Sequence, residues 1–270
     1  MHILRLVCPA GAAERVVAEL YSLGTKGIIE GDPSGGQVAL QAFFDEVFAA
    51  GEFAGYDARW EPADETNWAR LIMESWDPLL VGERFFVVPD WRDDPTPGGR
   101  IRLEVRPGLA LGTGYHATTQ MCLEAMEMHL RTGDRFLDLG AGSGILSHAA
   151  WLLGERAIFA ADIDPQAIES ARDNLGRAEV PIELIEGSTS SLGDGCADFA
   201  VANISAGGLI ELGTEIHRCL SGTGIAVLSG FPPERSDDVQ LGYELDGFFL
   251  IDSDKRDEWA CLVMKKSQDS

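Results

Sequence analysis

From about residue 106 onward, short apolar segments alternate with longer amphipathic ones, and few architectures accommodate that rhythm. RFLDLG at 135–140, AIFAAD at 157–162, PIELIEG at 181–187, FAVANI at 199–204 and GIAVLSG at 224–230 read as strands. Between and before them, 118–131, 144–153, 165–176 and 206–219 read as helices. Strands separated by helices of about 10–15 residues predict a mostly parallel, doubly wound α/β sheet. The C-terminal end breaks the rhythm. GYELDGFFLIDS and DEWACLVMKK read as two strands with no helix between them, so one must run antiparallel, as an edge hairpin.

The first 61 residues follow another pattern. HILRLVC reads as a strand, and Ala12 to Leu23 as a helix with Val16, Val17, Leu20 and Leu23 on one face. GIIE at 27–30 and QVALQAFF at 37–44 follow as strands, then a short helix near 45–50 and a strand near Asp57–Glu61. That order, βαββαβ, predicts a small α+β, ferredoxin-like domain, and its lack of catalytic residue types suggests recognition. Residues 62–105 form a middle region with a helix at Asn67–Trp76 and strands in RFFVVPDW and RIRLEVRP. The organisation expected is therefore 1–61, 62–105 and 106–270.

The chain has 21 basic and 44 acidic side chains, a net charge of −23, spread over both halves. Such a field opposes a groove for nucleic acid, because every phosphate contact would be made against repulsion. Five dispersed cysteines without a CxxC pair suggest reduced thiols and a cytoplasmic setting. The histidines are not spaced as metal ligands, so no metal is expected. The N-terminus MHILRLVCPAG lacks the plan of a signal peptide, and no apolar run reaches the ~18–20 residues that span a bilayer.

Chemistry concentrates in Leu137-Asp138-Leu139-Gly140-Ala141-Gly142-Ser143-Gly144, where a strand runs into a glycine-rich turn and a helix opens directly after it. Gly140, Gly142 and Gly144 let a ligand lie against bare backbone, and the free N–H groups of a helix start favour an anionic group. The spacing GxGxG differs from the dinucleotide pattern GxGxxG, and no GxxxxGK[ST] phosphate loop is present. Asp162 ends the next strand, where a carboxylate can accept both hydroxyls of a ribose. Asp164 and Pro165 suit the N-cap and first position of the following helix. Asn203 closes the fourth strand, at the carboxyl edge where open α/β sheets bind ligands.

LDLGAGSG, the acidic end of AADIDP, and FAVANI resemble the first, second and fourth motifs of class I S-adenosylmethionine-dependent methyltransferases. PGLALGTGYHATTQMCLEAM at 107–126 is similar to the block preceding that fold in the ribosomal protein L-eleven (L11) methyltransferase family, PrmA. The family usually reads GTGTHPTT; Gly112, Thr113, Gly114, His116, Thr118 and Thr119 match, while Tyr115 and Ala117 depart. NWARLIMESWDPLLVGERFFVVPDW at 67–91 and VANISAGGLIEL at 201–212 resemble further family blocks.

The resemblance implies a class I, Rossmann-like methyltransferase domain with S-adenosylmethionine held by Thr119, Gly140, Gly142, Asp162 and Asn203. It implies a monomeric enzyme that methylates lysine side chains and the N-terminal amine of ribosomal protein L11, with the N-terminal module recognising that substrate. Asn203 is the expected catalytic residue, orienting the amine, and His116 is the general-base candidate or a loop-ordering residue. Methyltransferases acting on adenine or glutamine amides resemble one another in [ND]PP[YF]; this chain has Asn203-Ile204-Ser205-Ala206, which disfavours such substrates. The alternatives are a relative acting on another protein's lysines or on a small amine, and a silent binding module.

Overall fold

The computed structural model describes residues 2–31, 33–48, 51–62, 76–106, 114–155 and 157–267. The chain divides into two compact units, 1–77 and 78–270. The helix expected at Asn67–Trp76 lies outside the described residues up to 75, as do Gly112 and Thr113.

In the first unit, strands β1 (His2–Pro9), β2 (Gly27–Glu30), β3 (Gln37–Phe44) and β4 (Arg59–Pro62) form an antiparallel sheet in the order β2-β3-β1-β4. Leu4, Leu6 and Cys8 alternate inward from β1 and meet Val16 and Leu20 of helix α1 (Ala13–Ser22). The chain leaves α1 through Gly24, whose φ of +82° suits glycine and lets the Thr25 amide reach back to the Leu20 carbonyl. The buried Thr25 hydroxyl donates to the Phe43 carbonyl at 2.9 Å and accepts from the Phe43 amide at 3.1 Å, tying the helix exit to β3.

The order is ferredoxin-like, with one correction. No helix occupies 45–48; a 3-10 segment, Gly51–Tyr56, stands in its place and buries Phe53. Phe48 instead joins an aromatic cluster with Phe44 and Trp60, at centroid distances of 4.9 and 5.0 Å, and its carbonyl accepts from Trp60 Nε1.

The second unit opens with β5 (Leu79–Val81), β6 (Phe85–Pro89) and β7 (Ile101–Val105), a three-stranded sheet in which β6 and β7 run parallel. β5 was not expected from the sequence. Val81, Phe85, Val87, Leu103 and Val105 share a core with helices α2 (Ala117–His129) and α3 (Ile145–Leu153), so 78–105 packs with the chain that follows it. Glu127 of α2 fixes the turn between β5 and β6: its carboxylate accepts from the amides of Glu83, Arg84 and Phe85 at 2.9, 2.9 and 3.2 Å.

β8 (Phe136–Leu139), β9 (Ile158–Asp162), β10 (Glu183–Glu186), β11 (Ala197–Asn203), β12 (Leu220–Phe231), β13 (Phe248–Arg256) and β14 (Trp259–Lys266) form the main sheet, in the order β10-β9-β8-β11-β12-β14-β13. β14 is antiparallel to both neighbours; the other pairings are parallel. Alternate residues feed two layers. Phe136, Phe199 and Val227 pack with α2 and α3, whereas Leu137, Ala200, Ala226 and Leu228 pack with α5 (Ala206–Cys219) and α6 (Ser236–Leu245). α4 (Pro165–Arg177) covers β9 and β10. Burial on both faces is why these strands read as unbroken apolar runs.

GYELDGFFLIDS is not one strand. Its first four residues end α6, which buries Val239 and Tyr243 four residues apart, and β13 begins only at Phe248, after Gly247 at φ +88°. From β8 the chain moves to one side, through β9 and β10, then crosses back to β11, so the sheet's switch point lies between the carboxyl ends of β8 and β11. Replacing Glu127 with Ala removes two exposed hydrogen bonds and leaves the partly buried Phe85 amide unmatched; a loss of about 1 kcal/mol is expected in urea unfolding of the full chain. An unchanged midpoint would count against the clamp.

Candidate functional site

At that switch point a cavity of about 1200 Å3 opens, lined by the ends of β8, β9 and β11 and by α4 and α5. Thr119, Gly140, Gly142, Asp162 and Asn203 all contribute to its wall. The turn after β8 is held by β9: the Gly140 and Ala141 amides both donate to the Ala161 carbonyl, at 2.9 and 3.2 Å. Gly140 sits at φ +73°, and a Cβ there would run into Ile204 Cγ2, so only bare backbone fits between the β8 turn and the β11 loop. Gly144, at φ +79°, caps α3 without a side-chain partner, which leaves that helix start to whatever lies before it.

Asp162 is oriented by backbone. Its Oδ2 accepts from the Gly142 amide at 3.0 Å and its Oδ1 from the Asp164 amide at 2.9 Å. Each carboxylate oxygen has a second lone pair, so both remain able to take a hydroxyl. Asp164 is the N-cap of α4, accepting from the Gln166 amide at 2.9 Å with Pro165 next, the structural role expected of it. Ile163, between the two acids, is 79% exposed on the cavity rim and offers an apolar surface beside a hydroxyl-binding carboxylate.

Across the cavity, Asn203 Nδ2 lies 3.5 Å from the hydroxyl of Thr119, which is buried in the first turn of α2. Ser205 caps α5, and Gly208, Glu211 and Leu212 of that helix complete the wall. Five carboxylates line the cavity, those of Asp162, Asp164, Glu169, Asp173 and Glu211, and among the described residues no lysine, arginine or histidine does. The arrangement suits a ligand carrying hydroxyls and positive charge.

His116 is elsewhere. It is the N-cap of α2, its Nδ1 2.7 Å from the Thr118 hydroxyl, and its ring stands edge-on to Trp259 at 4.8 Å. Burial pushes its pKa down, keeping the ring neutral. It does not line the cavity; it orders the entry into the helix that carries Thr119.

A model of the family Ribosomal protein L11 methyltransferase (PrmA) matches residues 3–267. The chain belongs to that family. A relative from Clostridium perfringens bearing the family's name is 35% identical over 202 residues, 74% of this chain and 64% of its own length. One from Symbiobacterium thermophilum is 32% identical and covers 87% of this chain and 78% of itself. The chain thus spans just under two thirds of the first of these curated relatives. The crystal structure of ribosomal protein L11 methylase from Lactobacillus delbrueckii subsp. bulgaricus superposes with a TM-score of 0.66 at 26% identity, covering 71% of this chain and all of that one. The PrmA fold is that of class I S-adenosylmethionine-dependent methyltransferases.

Beneath the turn lies Asp138, which the sequence had shown only as part of an apolar strand. It is 1% exposed, and its Oδ2 accepts from the Ser147 hydroxyl at 2.7 Å and the Ser147 amide at 3.1 Å, fastening α3 to β8. Burial raises its pKa from 3.8 to about 6, against the opposing pull of Ser147. A folded-state value above the unfolded one means the native state binds the proton more tightly, so this group's contribution falls as pH rises from about 4 to 6. Asp138→Asn removes that dependence. Relative to wild type, the variant should gain stability across the window by at most on the order of 3 kcal/mol, measured by urea unfolding at successive pH values. Parallel curves for the two proteins would contradict the assignment.

Proposed function

We propose that this protein is an S-adenosylmethionine-dependent methyltransferase that modifies lysine side chains and the N-terminal amine of ribosomal protein L11, acting as a cytoplasmic monomer without direct contact with nucleic acid. The observation that carries this reading is that Thr119, Gly140, Gly142, Asp162 and Asn203, drawn from four separate elements, line one cavity at the switch point of a methyltransferase sheet. Family membership and the names of the relatives support the substrate.

The residues fit the cofactor. The collision that a Cβ at Gly140 would cause marks a strip of bare backbone, and Asp162 presents two preset oxygens for the ribose hydroxyls. Ile163 supplies an apolar surface for the base. Bound there, S-adenosylmethionine supplies a methyl group on a positively charged sulfonium, which the carboxylate-rich wall favours electrostatically.

The protein's own part is alignment. Asn203, braced by Thr119, offers its side-chain carbonyl to an N–H of the incoming amine and so directs the nitrogen lone pair inward. The amine must arrive neutral. No histidine faces it among the described lining residues, so its proton leaves to solvent before transfer, or the fraction already neutral is used.

Three measurements test this. Asp162→Ala should weaken S-adenosylmethionine binding about 10-fold or more in calorimetry, as loss of hydrogen bonds to a charged group does, with the fold retained by circular dichroism. Wild type giving no heat with the cofactor would remove the enzyme reading and leave a binding module. Incubation with cofactor and free ribosomal protein L11 should add methyl-sized mass increments. On a peptide carrying only the α-amine the rate should level off near pH 8, and on one carrying only lysine it should keep rising toward pH 10, following reference values of about 7.7–8.0 and 10.4. Identical profiles would show that proton loss from the amine does not limit transfer.

A further inference from the structure

At the end of β11 opposite Asn203, two cysteines distant in sequence meet. Cys219 is the last residue of α5 and Cys196 the residue before β11. The next residue of each, Ala197 and Leu220, are partners in the parallel pairing of β11 with β12. The residue before each is also joined, the Gly195 amide donating to the Arg218 carbonyl at 2.9 Å. Backbone contacts on both sides hold the two cysteines abreast, and the neighbouring Cys196 thiol adds to burial in pushing the Cys219 thiol up. Adjacent paired backbones supply the short Cα separation a disulfide requires.

We propose that Cys196 and Cys219 are a dithiol site that two-electron oxidants such as hydrogen peroxide convert to an intramolecular disulfide. Cys196 is the entry point because it is half-buried, whereas Cys219 is fully buried against the sheet. The Cys196 thiolate attacks one peroxide oxygen; the O–O bond breaks, hydroxide leaves and takes up a proton as water, and a sulfenic acid forms. The Cys219 sulfur then attacks the Cys196 sulfur. The S–O bond breaks, and the sulfenic hydroxyl leaves with the Cys219 thiol proton as a second water. Two thiols are oxidised by two electrons, and one peroxide is reduced to two waters.

The rest of the chain contains an internal control. Cys122 and Cys261 are also neighbours, the Cys261 thiol helping to push the Cys122 thiol up, but both are buried in the core between α2 and β14. Proximity is shared; access distinguishes the pairs. The disulfide would close a loop over 196–219, which carries Asn203, Ile204, Ser205 and Glu211 of the cavity wall, and constrain that loop in the unfolded chain.

The test is peptide mapping of the full-length folded protein without reduction, after a short exposure to hydrogen peroxide and blocking of free thiols. A linked peptide pair containing Cys196 and Cys219, lighter by two hydrogens and separated by reductant, is the expected result, with Cys122 and Cys261 alkylated only after unfolding. The cross-linked protein should have a higher urea midpoint than the reduced one, and Cys196→Ser should abolish both the link and the shift. Recovery of Cys196 as sulfinic acid with Cys219 free, a predominant Cys122–Cys261 link, or both thiols unchanged would each overturn the proposal.

Discussion

Two hydrogen bonds to one carbonyl set the geometry on which the cavity depends. Because the amides of Gly140 and Ala141 converge on Ala161, the turn after β8 cannot move without β9, and the residue after Ala161 is Asp162. The bonds that close the turn therefore also fix where that carboxylate emerges, and Gly142 answers by donating to it. Ile204 closes against the bare Gly140 backbone and carries the β11 loop, with Asn203, to the same place. Below, Asp138 fastens the start of α3 to β8 through Ser147. A one-residue slip of β9 against β8 would withdraw Asp162 and exchange the two core faces of its apolar neighbours, so strand register and cavity chemistry are the same constraint.

The parallel part of the fold was legible because burial on both faces leaves little ambiguity in composition: apart from Asp138 and the polar residues near their ends, β8, β9 and β11 are apolar whichever way a residue points. Legibility failed where a pattern fits two periods. Tyr243 and Leu245 alternate as in a strand, yet Tyr243 is buried four residues after Val239, and Leu245 is 81% exposed at a helix end. Asp237 and Asp238, in the first turn after Pro232 and Pro233, were the available sign of a helix. Near 45–50, where a short helix was expected, aromatic contacts with Phe44 and Trp60 hold Phe48 instead.

The cavity residues divide similarly. Asp162, Asn203 and the glycines were readable because each stands where a strand ends, a position that sequence reveals. The Glu127 clamp was not, since its partners lie more than 40 positions away and no local pattern joins them. His116 was ambiguous because a histidine before a helix can cap it or work in a site, and only contacts decide. Its bond to Thr118 and its contact with Trp259 favour the cap.

The net charge of −23 acts on two scales. At physiological ionic strength the Debye length is about 8 Å, so the acidic surface as a whole biases encounter within a thin shell and has little effect on a ligand already bound. At the cavity the relevant charges are the five lining carboxylates, which act at short range; Asp162 is half-buried, and Asp164, Glu169, Asp173 and Glu211 are exposed. The two scales have the same sign. On the proposed function, the outer field gathers a basic ribosomal protein and discourages RNA, and the inner one favours the sulfonium and raises the local concentration of ammonium groups near Asn203. The inner field also works against the chemistry, because carboxylates that attract an ammonium stabilise its protonated form. The apolar side of the wall, Leu139, Ile145, Leu146 and Ile204, counters this by disfavouring the charged amine through desolvation. Attraction at the acidic rim and discharge at the apolar floor are therefore separate tasks, and the neutral Asn203, rather than a sixth carboxylate, stands where the nitrogen must be uncharged.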